Sequence, residues 1–341
     1  MVGYPKRFGR EERLEFSRMA TTGDIAASPR ESTAKPGQAG EFLLDRIGNT
    51  PMLRLERAGR EFPNVEFCAK AEWFNPGGSV KDRPALSMIQ AGLASGALRP
   101  GKTIIDATSG NTGIAYAMVG AAMGYPVQLC LPDSASYERK RILAALGAQM
   151  VITPGDEGTD GAIRRVHEIV AGNPDKYFYP DQYSNPANWQ AHYRTTANEI
   201  WQQTSGRITH FVAALGTSGT FVGTTRRLKE LNPAIICASL QPDASFHGLE
   251  GWKHMPTAIR PAIYDDTLAD ENLAVSTEEA YRLVKRLARE EGLLVSPSAA
   301  AALLGCFQVA AGIAKHANAV IVTVFADSAS KYLNERFWDE E

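Results

Sequence analysis

The 341 residues, 44% of them hydrophobic, can bury a sizeable core and are long enough for two domains. Against 36 basic residues stand 38 acidic ones, a formal net charge of -2, which gives no reason to expect a nucleic acid or an anionic membrane as partner. The longest apolar runs, such as 317–326, are strand-sized and far short of a bilayer span, so no transmembrane segment is expected.

Residues 1–40 are rich in Arg, Ser, Thr, Gly and Pro, show no sustained period, and read as a mobile tail. Glu11, Glu12, Glu15 and Asp24 argue against a transit peptide, and no apolar stretch marks secretion. After Thr50 short strands and helices alternate. Strands are expected at 65–71, 103–107, 127–131, 150–153, 211–215, 235–240 and 320–325. Helices are expected from Pro84 through Leu93 and at 114–124, 137–146, 161–171, 191–203, 221–231, 281–291 and 299–311. Such alternation indicates an α/β protein with parallel sheets covered on both faces. Cys68, Cys130, Cys237 and Cys306 lie far apart, each inside an apolar run, without CxxC or CxxH spacing. That speaks against a zinc site or a disulfide framework and for buried free thiols in a reducing cytoplasm. The six histidines are dispersed, and His192, His247 and His254 read as structural or surface residues.

Three stretches carry chemistry. Asn75-Pro76-Gly77-Gly78-Ser79-Val80-Lys81-Asp82-Arg83 puts a lysine behind a glycine pair and at the start of a helix. The positive end of the helix disfavours an ammonium, so the pKa of Lys81 should fall. A partly deprotonated lysine captures carbonyl cofactors as Schiff bases, although taken alone a lysine beside Asp82 and Arg83 reads better as a solvated one. Thr108-Ser109-Gly110-Asn111-Thr112-Gly113 and Gly216-Thr217-Ser218-Gly219-Thr220 each follow a strand and precede a helix. Backbone N–H groups at such helix starts favour anions, and glycines let the anion approach. Two cradles imply two sheets or two halves, with ligands at the carboxyl ends of the strands. A cofactor phosphate and a substrate carboxylate would fill them.

In this order and spacing, the lysine motif and the two loops resemble the cysteine synthase and cystathionine β-synthase family of pyridoxal-phosphate enzymes. Ile47-Gly48-Asn49-Thr50-Pro51, Gln182-Tyr183-Ser184-Asn185-Pro186-Ala187-Asn188, and Glu291-Gly292 leading to Ser298 extend the likeness over about 44–337. Each motif alone is weak, and the ordered set is specific. The resemblance implies a two-domain tryptophan synthase β-like fold, fold type II of the pyridoxal-phosphate enzymes. Its larger domain would comprise 41–86 and 186–337, and a smaller mobile domain 87–185. It implies pyridoxal 5'-phosphate as cofactor, a homodimer, and no haem, because the tail has neither the cysteine nor the histidine that haem-binding members would need.

The resemblance assigns Lys81 the cofactor linkage and then the removal of the substrate's α-proton. It gives Gly216, Thr217, Ser218, Gly219 and Thr220 to the cofactor phosphate, and Thr108, Ser109, Asn111, Thr112 and Gln182 to the substrate carboxylate. Asn111 also matches a contact to the cofactor's 3'-oxygen, and Ser298 matches the serine at the pyridine nitrogen. Two stretches depart from the family. Val295-Ser296-Pro297-Ser298-Ala299-Ala300 replaces a glycine-rich pattern and leaves Ser296 as a competing candidate. The loop 241–254, expected over the leaving group, holds His247, Lys253 and His254 but no arginine, which favours O-acetylserine over O-phosphoserine. The implied reaction is β-replacement by sulfide, through an aminoacrylate, to give cysteine. Homocysteine or ammonia as the nucleophile, a serine or threonine dehydratase, and a non-catalytic binding protein are the alternatives.

Overall fold

The computed structural model describes residues 42–108, 110–313 and 317–340. The tail expected over 1–40 and the candidate Ser109 lie outside the described residues. In chain order the elements are β1 (Met52–Leu55), β2 (Val65–Ala71), α1 (Asp82–Ala94), β3 (Thr103–Ala107), α2 (Asn111–Met123), β4 (Val127–Pro132), α3 (Tyr137–Ala145), β5 (Gln149–Thr153) and α4 (Gly158–Gly172). They continue with β6 (Tyr177–Phe178), α5 (Pro186–Arg194), α6 (Thr196–Gln203), β7 (His210–Ala214), α7 (Gly219–Leu231), β8 (Ile236–Pro242), β9 (Glu271–Val275), α8 (Thr277–Glu290), α9 (Pro297–Gly312) and β10 (Ala319–Phe325).

The strands form two sheets, one of six in the order β1-β2-β10-β7-β8-β9 and one of four in the order β5-β4-β3-β6. All pairings are parallel except β1 with β2. β10 is buried along its whole length, and its sequence AVIVTVF shows no alternation because helices cover both faces. α9 packs behind it and is apolar and small on nearly every side, with a stretch Ala299 to Ala302 that lets helix and sheet approach closely. α8, in contrast, buries its first residue, Thr277, and the apolar stripe Ala280, Leu283, Val284 and Leu287, the spacing of a half-exposed helix. The four-stranded sheet has its own core, in which Ala85, Met88 and Ile89 of α1 meet Ile104, Tyr116 and Leu129.

Strands β2 and β3 begin and end where the sequence places them, and most other boundaries shift by one to four residues. Three strands were not expected: β1, β6 and β9. Each lies at a sheet edge with a single partner, so each carries little of the buried pattern that marks a central strand. The helix expected at 191–203 is two helices. The first starts earlier, because the Asn185 side chain accepts from the Ala187 N–H and Pro186 fits the first turn. It breaks at Thr195, whose hydroxyl donates to the Ala191 carbonyl and accepts from Arg83. α2 and α7 begin at Asn111 and Gly219 rather than at 114 and 221. Parts of both polar loops are therefore first helical turns, where backbone donors point outward.

Candidate active site

Lys81 sits at the N-cap of α1. The preceding loop is pinned from several sides. Val80 donates its N–H to the Ala326 carbonyl (2.9 Å), Gly77 donates to Asp82 (2.5 Å), and the Asn75 side chain holds Gly48 N–H, Glu72 and the Ser79 carbonyl. Burial lifts the Asp82 carboxyl to about 7, with the Gly77 N–H opposing. One residue on, Arg83 clamps Glu72 and Glu199 and so fastens the start of α1 to α6. Among the described residues the Lys81 ammonium itself has no hydrogen-bond or ion-pair partner. Its pKa is pushed below the ordinary lysine range by burial first, against the pull of the Asp327 carboxylate. The direction is the expected one, and dehydration is its main cause.

Lys81 lines a cavity of about 260 Å³ between the two sheets' carboxyl ends. On one wall is the loop before α7. There Ser218 takes a left-handed φ of 70°, and its buried hydroxyl has no partner. Gly216 is required by a close approach, since a Cβ would run into the Gly251 carbonyl. Two residues one turn apart on α5 support this loop. Asn188 donates to Thr217 Oγ1 (3.1 Å) and to the Gln182 carbonyl (2.7 Å), and His192 Nε2 lies 3.3 Å from Thr220 Oγ1. Burial, aided by Arg83, drives the His192 imidazole down to about 3, so it is neutral. Gly219 shares the first turn of α7 but is not among the lining residues.

The opposite wall is the loop before α2. Thr108 and Thr112 line the cavity, and the Thr112 hydroxyl donates to Gln182 Oε1 (3.0 Å). The far end of the Gln182 amide donates to the Ala107 carbonyl (3.4 Å), which joins this loop to the 182–188 segment. Asn111 lines the cavity with its amide already engaged: Nδ2 donates to Asp327 (2.8 Å) and Oδ1 accepts from Lys331 (2.6 Å). Ser298 faces the cavity, whereas Ser296 lies outside its lining and caps α9 by accepting from the Ala299 N–H.

Sequence reasoning missed four groups here. Asp327 follows β10, is fully buried, accepts from Asn111 and Tyr332, and keeps one oxygen without a partner. Its place past the end of a central parallel strand was a usable signal. Arg139, Glu250 and Tyr332 had none, because Tyr137-Glu138-Arg139-Lys140 reads as a solvated helix face. Arg139 reaches across the cavity from α3, is 4% exposed, pairs with Glu250, and lies 5.2 Å from the Tyr332 ring centroid. Loop 241–254 holds no arginine, as read, but the cavity does.

A partner-free lysine between two helix-start cradles, at the carboxyl ends of the parallel strands of two sheets, defines an enzyme built around a carbonyl cofactor with an anionic group. The family model of the pyridoxal-phosphate dependent enzymes matches residues 43–327, and the chain belongs to that family. Cysteine synthase of Aquifex aeolicus is 51% identical over 307 residues, 89% of this chain and 94% of that protein. Cysteine synthase B of Pseudomonas aeruginosa is 41% identical over 299 residues, covering 87% and 97%. The crystal structure of cysteine synthase from Entamoeba histolytica superposes with a TM-score of 0.84 at 32% identity, over 92% of this chain and 95% of that one. The two-sheet α/β architecture is thus that of the tryptophan synthase β-like fold.

The residues fit pyridoxal phosphate. The partner-free Ser218 hydroxyl and the α7 start suit its phosphate, Lys81 suits its carbonyl, and the neutral Ser298 hydroxyl suits its ring nitrogen. Among the described residues no three His, Cys, Asp or Glu side chains gather as a metal site requires, and no helix is long and apolar enough to cross a membrane.

Proposed function

We propose that the chain is a cysteine synthase that exchanges the acetate of O-acetyl-L-serine for sulfide and releases L-cysteine. The observation that carries this reading is the partner-free Lys81 amine in a cavity with anion-binding loops on two walls. When bound, pyridoxal phosphate supplies an electrophilic carbonyl and a conjugated sink for the electron pair left at the substrate's Cα. The chain does the rest. Gly216, Thr217, Ser218, Gly219 and Thr220 hold the phosphate, with Asn188 and His192 fixing the threonine hydroxyls behind them. Thr108, Ser109, Asn111, Thr112 and Gln182 hold the substrate carboxylate and so orient the Cα–H bond. Lys81, weakly hydrated and free of ion pairs, takes the α-proton and later returns it. Ser298 donates a neutral hydrogen bond to the ring nitrogen and places no carboxylate there, which favours loss of the β-substituent over transamination.

The unit formed by 87–185 closes against the rest of the chain and excludes the water that would otherwise release pyruvate. The enzyme works as a homodimer, which rests on the family resemblance alone, and in the cytoplasm, a reading supported by buried free thiols at Cys130, Cys237 and Cys306. The test is an absorbance spectrum of purified holoenzyme. O-acetylserine without sulfide should displace the visible band of the lysine-bound cofactor, and sulfide should restore it as cysteine forms. A band that O-acetylserine leaves unmoved overturns the assignment.

A further inference from the structure

The charged groups that line the cavity are Lys81, Arg139, Lys253, Glu250 and Asp327. With Lys81 committed to the cofactor, two cations and two carboxylates remain, and they balance. Their arrangement is uneven. Arg139 is the buried member, its Nε has no partner, and its two terminal nitrogens are both taken by the Glu250 carboxylate. The Glu250 side chain is 43% exposed, so the carboxylate stands at the mouth and the guanidinium behind it. A planar guanidinium fork binds a carboxylate and a phosphate in the same two-bond manner. Lys253 is no equivalent anion site, because burial lowers its pKa and its ammonium lies over the Tyr183 ring at 4.9 Å.

We propose that Glu250 is a specificity-determining residue: it occupies the Arg139 fork and thereby keeps anionic β-substituents, such as a phosphate ester, out of the site. This rests on the β-replacement reading above. A neutral acetyl ester meets a charge-balanced wall and loses nothing by the pairing. A phosphate dianion must instead displace Glu250 and then lies beside the displaced carboxylate, or else remains unpaired. Removal of the carboxylate leaves Arg139 in place with its fork open, and the site gains a ready phosphate ligand. Arg139 and Glu250 come from opposite sides of the cavity, so the same pair also joins the two walls. A purely structural role would therefore affect all amino-acid donors alike.

The test compares O-phosphoserine with O-acetylserine as donors for the sulfide reaction in the parent holoenzyme, in Glu250→Gln and in the double variant Arg139→Leu/Glu250→Gln. Gln keeps the size and one hydrogen-bond acceptor, and the exposed position lets water reach the guanidinium. Glu250→Ala serves as a second opening variant should Gln disturb folding. The expected result is a rise of about tenfold or more in the ratio of kcat/KM for O-phosphoserine over O-acetylserine, the order of one lost like-charge contact, and its disappearance in the double variant. Calorimetry with inorganic phosphate gives a reading independent of turnover, and it should show tighter binding to Glu250→Gln holoenzyme than to the parent. A ratio that moves less than threefold in both opening variants, as when kcat/KM falls equally for both donors, overturns the proposal. A parent enzyme that turns over neither donor sinks the β-replacement reading and this inference with it; a parent active on O-acetylserine with an unmoved ratio sinks this inference alone.

Discussion

Two lysines near each other in the chain, Lys70 and Lys81, both have their pKa lowered by burial, and the contrast between them separates scaffold from chemistry. Lys70 on β2 is fully buried and fully satisfied: its ammonium donates to Glu199 (2.7 Å), the Thr50 carbonyl (2.6 Å) and Gln203 Oε1 (2.9 Å). Around it Arg83 clamps Glu199 and Glu72, and Glu72 accepts from Thr50. Burial lowers the Lys70 pKa, and Glu199 restores part of the loss. For Lys81 burial is opposed only by Asp327, which is too far away to form an ion pair or hydrogen bond with it. A satisfied ammonium holds elements together, whereas a dehydrated, partner-free one is a base and a nucleophile. The first arrangement serves the second, since the Arg83 clamp lies two residues beyond Lys81 and fixes the helix start on which it stands.

The contrast breaks if the two lysines respond alike to removal. Lys81→Ala should lower cysteine formation by roughly 10²–10⁴-fold and remove the visible cofactor band. Urea unfolding of the cofactor-free chain should stay near the parent's, because no partner is stranded. Lys70→Met should do the reverse: it leaves Glu199 short of a counter-charge and costs roughly 3–5 kcal/mol in unfolding free energy, while the band of the folded fraction is kept. A loss of the band in Lys70→Met with stability unchanged would place Lys70 in the chemistry. The smallest effect sharpens the scaffold side. Burial alone would raise the Glu199 carboxyl, but Arg83 and Lys70 outweigh it and bring the group down to about 2. Its folded-state pKa lies below its unfolded one, so its contribution is complete above about 4.5 and is lost as pH falls towards 2. Melting temperature followed across that window should drop less steeply in Glu199→Gln than in the parent.

Much of this was readable from the chain. Central strands with both faces covered, such as β3 and β10, announce themselves as apolar-rich runs without alternation, while edge strands such as β1 and β9 do not. The lysine and the two polar loops were visible because glycine pairs, small hydroxyls and the switch from strand to helix are local signals. The break at Thr195 was not, since it depends on Arg83, which arrives from over a hundred residues away.

The sequence by itself determined the α/β alternation, the lysine at a helix start and the two loops that suit anions, because backbone conformation and helix-end polarity are set by neighbouring residues. Only the tertiary structure decided which charges meet. It left Lys81 without a partner in the cavity, gave the Lys70 ammonium three partners inside an apolar strand, and set Arg139 of α3 against Glu250 across the cavity. Burial and pairing are properties of surfaces that come together after the chain has turned back on itself, and no local pattern encodes them.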